Sequence, residues 1–162
     1  MNRWDLRPFE TKNLFNPAFC AVVLLRSIKA YAAEDPRGMP FSLSLLVLPL
    51  ALQEESRTVV LKHVRSYLLK AVSAHPELLV GFPERVTEMI PYAFEAFGLA
   101  HQAGCFEITK EGRLLPIARR LRATVDGTTE SVACQQAAML LGREFARIAD
   151  RVTVYTAFGI RP

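Results

Sequence analysis

A chain of 162 residues and 18.1 kDa is one domain with at most a short arm, and it can bury a core without disulfides or a metal. Hydrophobic residues make 51% and charged ones 22%, which excludes disorder as the main state, and the scattered Gly and Pro exclude a fibrous or linker-rich chain. The net charge of +4 is local: residues 110–122 hold Lys110, Arg113, Arg119, Arg120 and Arg122 against Glu111 alone, and the remainder sums to zero. Such a cluster suits phosphate, an acidic partner surface, or simply a solvated turn and helix start.

Residues 1–16 read as an extended N-terminal arm with Trp4 and Phe9 as its anchors. Asn16-Pro17 is a helix start, since Asn caps and Pro lacks an N–H that would have no partner there anyway. The helix runs to about Ala33 and is apolar nearly all round, as a central helix is. After the loop Asp35-Pro36-Arg37-Gly38, a second helix capped by Ser42 or Ser44 runs to about Gln53, and Pro49 kinks or restarts it. Residues 54–57 read as a polar break. Residues 59–73 carry a helical stripe through Val60, Leu61, Val64, Leu68 and Ala71/Val72, with a strand start over Thr58-Val59-Val60-Leu61 as the alternative.

Pro83 opens a short helix to Ile90, and Pro91 opens another to Ala103, stopped by Gly104. The period then changes to two over 105–109, followed by the turn Lys110-Glu111-Gly112 and a second short strand over 113–117, which is a hairpin signal. A helix over 132–149 with Ala137, Leu141, Phe145 and Ile148 on one face precedes a tail that packs on the body.

The expected fold is therefore mainly α with a small β-hairpin, arranged as a winged helix-turn-helix-like domain with extra N- and C-terminal helices. Its core is 59–117, with helices 59–73, 83–90 and 91–103 and a wing at 105–117; residues 132–162 supply the C-terminal helix and docked tail. A DNA reader of this kind presents Arg, Lys, Asn or Gln from its third helix to base edges. Helix 91–103 has no Arg or Lys and carries Glu95, so fold and DNA reading separate. Its aromatics Tyr92, Phe94 and Phe97 suit a protein groove, or the core. Tyr155 and Phe158 of the tail are candidates for the same protein interface.

No catalytic pattern stands out: there is no phosphate-binding Gly loop, no Gly-x-Ser-x-Gly, no His-x-x-x-His and no Cys-x-x-Cys. The pairs Glu54/Glu55 and Glu84/Glu88 read as solvated helix faces. Three well-separated cysteines (Cys20, Cys105, Cys134) among apolar neighbours read as reduced, packed thiols of a cytoplasmic protein. His63, His75 and His101 share no metal spacing, and Gly104 separates His101 from Cys105. No metal or cofactor is expected. The polar, Pro-broken first seventeen residues are no signal peptide, and the apolar run 43–52 is too short to span a membrane.

Several phrases occur together: Glu10-Thr11-x-Asn13-Leu14-Phe15-Asn16-Pro17-Ala18-Phe19, Pro40-Phe41-Ser42-Leu43 before Leu48-Pro49-Leu50, Gly81-Phe82-x-Glu84-Arg85-Val86, Leu141-Gly142-Arg143-x-Phe145-Ala146, and Thr153-Val154-Tyr155-x-x-Phe158-Gly159-Ile160-Arg161-Pro162. In these the chain resembles the middle component of bacterial three-component ABC systems, over nearly its whole length. It departs at Glu144, where relatives often carry an aromatic, and at Ala93-Phe94, where they often carry Thr-Arg. The resemblance implies a non-enzymatic adaptor between an ABC ATPase of the SMC or Rad50 kind and an effector, frequently a nuclease. It also implies a defence setting against phage and plasmids that overlaps the Lamassu type. DNA would then be met only by non-specific backbone contact within the complex. A stand-alone winged-helix regulator is the alternative.

Overall fold

The computed structural model describes residues 6, 8, 12, 15–63 and 67–161. The anchors Trp4 and Phe9 of the arm, and Val64 of the expected stripe, lie outside the described residues. Helix α1, Pro17–Glu34, starts where expected: the Asn16 side chain accepts from the N–H of Ala18 (2.9 Å) and Phe19 (3.4 Å), and Pro17 occupies the first position. Buried residues occur all round it, from Cys20 through Leu24 and Ile28 to Tyr31. It is the element on which α6, α7 and the sheet described below converge.

The next stretch is broken into short pieces: β1 Met39–Pro40, α2 Phe41–Ser44 and α3 Val47–Ala51. Pro49 sits in the first turn of α3, where a missing N–H costs nothing. Residues 54–57 are not a break. They open α4, Glu54–Lys62, with Glu54 and Glu55 in the first turn, where carboxylates complement the helix dipole. The expected single helix 59–73 is replaced by the end of α4 and a separate α5, Leu68–Ala74, followed by a 3₁₀ turn, Pro76–Leu79.

The helices expected at 83–90 and 91–103 are one helix, α6, Phe82–Gln102, with Pro91 inside it. Its apolar stripe continues without a phase break through Val86, Met89, Ala93, Ala96, Phe97 and Ala100, all buried. Packing of that stripe outweighs the roughly 3 kcal/mol a mid-helix proline costs.

The hairpin forms as read: β2, Phe106–Ile108, pairs antiparallel with β3, Arg113–Pro116, in the register Phe106↔Pro116. A third strand joins it, since Met39 of β1 pairs with Leu114, giving the order β1-β3-β2. Two residues of Met-Pro carry no period, which is why sequence reading passes over β1. Gly38, at φ 91, permits the approach: a Cβ there would stand 2.7 Å from the Leu114 carbonyl oxygen.

Helix α7, Thr129–Ile148, begins three residues earlier than expected because Thr128 caps it by accepting from the Ser131 N–H. It crosses α1 closely: a Cβ on Gly142 would lie well inside van der Waals contact of the Ser27 carbonyl oxygen. Helix α8, Arg151–Ala157, is capped by the Asp150 carboxylate. As expected, the tail packs on the body: Val154 and Phe158 are fully buried, Phe158 meets Phe82 at 5.1 Å between ring centroids, and the Tyr155 hydroxyl donates to the Ser42 carbonyl (2.6 Å).

Candidate functional site

The five cations that cluster within residues 110–122 part company in space. Lys110 is exposed at the hairpin turn, closed by the Gly112 N–H to the Thr109 carbonyl (3.0 Å). Arg113 is spoken for: its Nη1 donates to the Gly38 carbonyl (2.8 Å) and lies 3.7 Å from Asp35 Oδ2. Asp35 also receives Arg37, whose hydrogen-bonded guanidinium holds the carboxyl below its ordinary range.

Arg119, Arg120 and Arg122 leave from the other end of the hairpin. The Ile117 N–H donates to the Cys105 carbonyl (2.9 Å), and the segment 117–127 then runs to the Thr128 cap without regular structure. A tight turn opens it: the Arg120 N–H reaches the Ile117 carbonyl (3.4 Å), with Arg119 at φ 63. All three arginines are exposed, and among the described residues none makes an ion pair.

What holds this irregular segment is buried beneath it. Arg26 of α1 is 4% exposed. Its Nη1 donates to the carbonyls of Arg122 (2.6 Å) and Ala123 (3.4 Å), and its Nη2 to that of Thr124 (2.6 Å). Its Nε donates to Gln135 Oε1 (3.0 Å), and Gln135 Nε2 donates to the carbonyls of Asp126 (3.2 Å) and Ser131 (3.4 Å). Two buried side chains thus satisfy the carbonyls of Arg122, Ala123, Thr124 and Asp126, which no helix or sheet serves. Sequence reading treated Arg26 as one more residue of an apolar helix. The available signal was a guanidinium in a helix with no polar face to carry it.

The aromatics divide by environment. Phe97 is buried against Phe41 (5.2 Å) and Phe106 (5.9 Å), so it is core, as is Phe158. Tyr92 stacks on Phe15 at 4.4 Å and is half-buried, like Tyr155. Phe94 is 54% exposed at the end of the row, 5.8 Å from Phe41, and Leu99, five residues on, is exposed too. Tyr92, Phe15, Phe19, Leu52 and Met89 line a groove of about 900 Å³ where α6 faces the starts of α1 and α7.

Among the described residues no group of three or more His, Cys, Asp or Glu is placed to hold a metal, and no helix is long and apolar enough to cross a membrane. The fold does bring His63 and His75 together, Nε2 to Nε2 at 3.3 Å, with Nδ1 of His75 2.8 Å from the Glu77 carboxylate. All three cysteines are free; burial pushes the Cys20 thiol up to about 12 and raises that of Cys134.

Among curated proteins nothing matches the chain. No solved structure matches it either. The family model for the ABC-three component (ABC-3C) system Middle Component 3 matches residues 4–162, the span that contains the α1/α7 crossing, the hairpin and the docked tail. The chain belongs to that family, and is a middle component of a three-component ABC system.

Proposed function

We propose that this chain is a non-enzymatic adaptor. It joins an SMC/Rad50-like ABC ATPase to an effector subunit, a nuclease in the simplest case, in a cytoplasmic complex that defends bacteria against phage and plasmids. Membership of the middle-component family supplies the other components as partners.

We read the fold as a winged helix, with different helices from those the sequence suggested, and this reading fits an adaptor. What supports it is the element order: with α1 as first helix, α2–α3 as second and α6 as third, and with α4, α5 and the 3₁₀ turn taken as an insertion, the order is helix, strand, helix, helix, strand, strand and the sheet is β1-β3-β2. The observation that carries the functional choice is the solvent face of α6. It offers Glu84, Glu88, Phe94 and Leu99 and no exposed Lys or Arg, and the exposed His101 and Gln102 come only in its last turn. A helix that reads bases needs donors there; an acidic and apolar face suits a protein partner.

Affinity purification of the tagged chain from its own operon tests this. The ATPase and effector subunits should be retained, and Phe94→Asp with Leu99→Asp should weaken retention at least about tenfold, the scale of one or two interface anchors. A chain that elutes alone and binds one operator tightly would make it a regulator instead.

A further inference from the structure

We propose that residues 117–124, held from below by Arg26 and Gln135, form a preorganised cationic strap that grips the sugar–phosphate backbone of duplex nucleic acid without reading its bases. This goes beyond the adaptor reading and does not depend on it.

The strap is ordered before any ligand arrives. Its carbonyls at 122, 123 and 124 point inward to one buried guanidinium, and Gln135 ties Asp126 to the same centre. An irregular cationic segment ordinarily loses entropy when it binds, and a pinned one has already met that cost. The charge is one-signed. Residues 112–125 contain no carboxylate. Lys29 of α1 is exposed and lines one small cleft of about 210 Å³ together with Arg119, Ile117 and Leu121. Arg26 donates only to neutral oxygens, so its charge adds to the field of Lys29, Arg119, Arg120 and Arg122, and a buried charge is screened less than an exposed one.

The surface chemistry selects the partner. Ala118, Arg119, Arg120, Arg122, Ala123 and Thr124 are exposed; the large apolar side chains of the strap are two, Ile117 at 39% exposure and half-buried Leu121, too few to make an apolar centre. A protein partner would need an apolar centre to cover. A polyanion needs guanidinium groups that take phosphate oxygens in pairs. The arginines stand on an irregular segment and not on a helix or strand that could enter a groove, so they meet phosphates and the contact is indifferent to sequence. Lys110, at the far end of the hairpin, and Arg113, engaged by Asp35 and Gly38, stand outside the strap.

The test is fluorescence anisotropy of a labelled random-sequence DNA duplex of about 25 base pairs with the full chain. Four phosphate contacts should make affinity fall roughly a hundredfold between about 50 and 200 mM KCl. Arg119→Glu with Arg120→Glu, both exposed and harmless to the fold, should weaken binding at least about tenfold and flatten that dependence. Lys110→Gln should change nothing. Arg26→Met should weaken binding and open 117–127 to proteolysis.

Absence of duplex binding at low salt, undiminished binding by the double-Glu chain, or dependence on Lys110 would overturn the proposal. If the double-Glu chain keeps its duplex affinity but loses its co-purifying subunits, the strap meets an acidic protein surface; the proposal then fails and the adaptor reading stands. If duplex binding follows the expected pattern while no subunit co-purifies, the strap stands and the adaptor reading fails.

Discussion

Arg26 and Glu144 are two buried charged side chains that tie distant parts of the chain together. Glu144, 4% exposed, accepts the Leu68 N–H at the start of α5 (3.1 Å) and Arg147 Nη1 (3.1 Å). An aromatic at this position would leave that N–H unserved, so the departure from the relatives' pattern has a structural role here. Neither role was legible, because a burial partner 76 or 96 residues away leaves no local trace. The thiols were more legible: apolar neighbours foretold the packing of Cys20 and Cys134, though not the half-exposure of Cys105. Native alkylation with iodoacetamide near pH 8 should modify half-exposed Cys105 and spare Cys20 and Cys134, since the thiolate is the nucleophile and burial disfavours it at both. Peptide mass spectrometry would read the sites; rapid loss of the Cys20 thiol without unfolding would contradict its placement.

At the scale of elements, proline was the least reliable punctuation. Pro83 fits the first turn of α6, as expected, but Pro91 lies in the middle of it. The two descriptions differ in sign for one substitution. Were Pro91 the first residue of a separate helix, replacing it would cost stability. Inside a continuous helix, Pro91→Ala restores a bond to the Thr87 carbonyl and removes a penalty of up to ~3 kcal/mol, and Pro91 is exposed enough for Ala to fit. Urea denaturation should therefore show a more stable chain, by about 1 kcal/mol or more once the lost proline rigidity is offset. The polar stretch at 54–57 misled for a related reason: first-turn carboxylates look like a loop when the residues they precede are weakly periodic. The α1/α7 crossing left one legible clue, Gly142, whose missing Cβ lets the helix backbones meet at Ser27.

For the whole molecule, the tail closes the core rather than decorating it. Val154 and Phe158 belong to the same buried cluster as Leu24, Phe82 and Phe145. Removing residues 153–162 would uncover Phe82 and forfeit burial of a Val and a Phe, about 3–6 kcal/mol by area alone, which is a large share of a domain's stability. The truncated chain should unfold well below the intact one in thermal melts and enter aggregates. Equal melting temperatures would mean that the docked tail contributes little.

The sequence by itself determined the helical class, the Asn16-Pro17 start of α1, the hairpin, the apolar face of α7 and the docked tail. Each is written in residues within a few positions of one another, as a cap, a period or a turn. It also held the family resemblance, spread over phrases from Glu10 to Pro162. Only the tertiary structure decided the rest. Strand β1 exists because β3 offers it an edge, α6 runs through Pro91 because one stripe packs against one core, and the basic stretch divides because Asp35 takes Arg113 while Arg26 pins the carbonyls beyond it. These outcomes depend on groups far apart in the chain, whose interaction energies arise only once folding has placed them in contact.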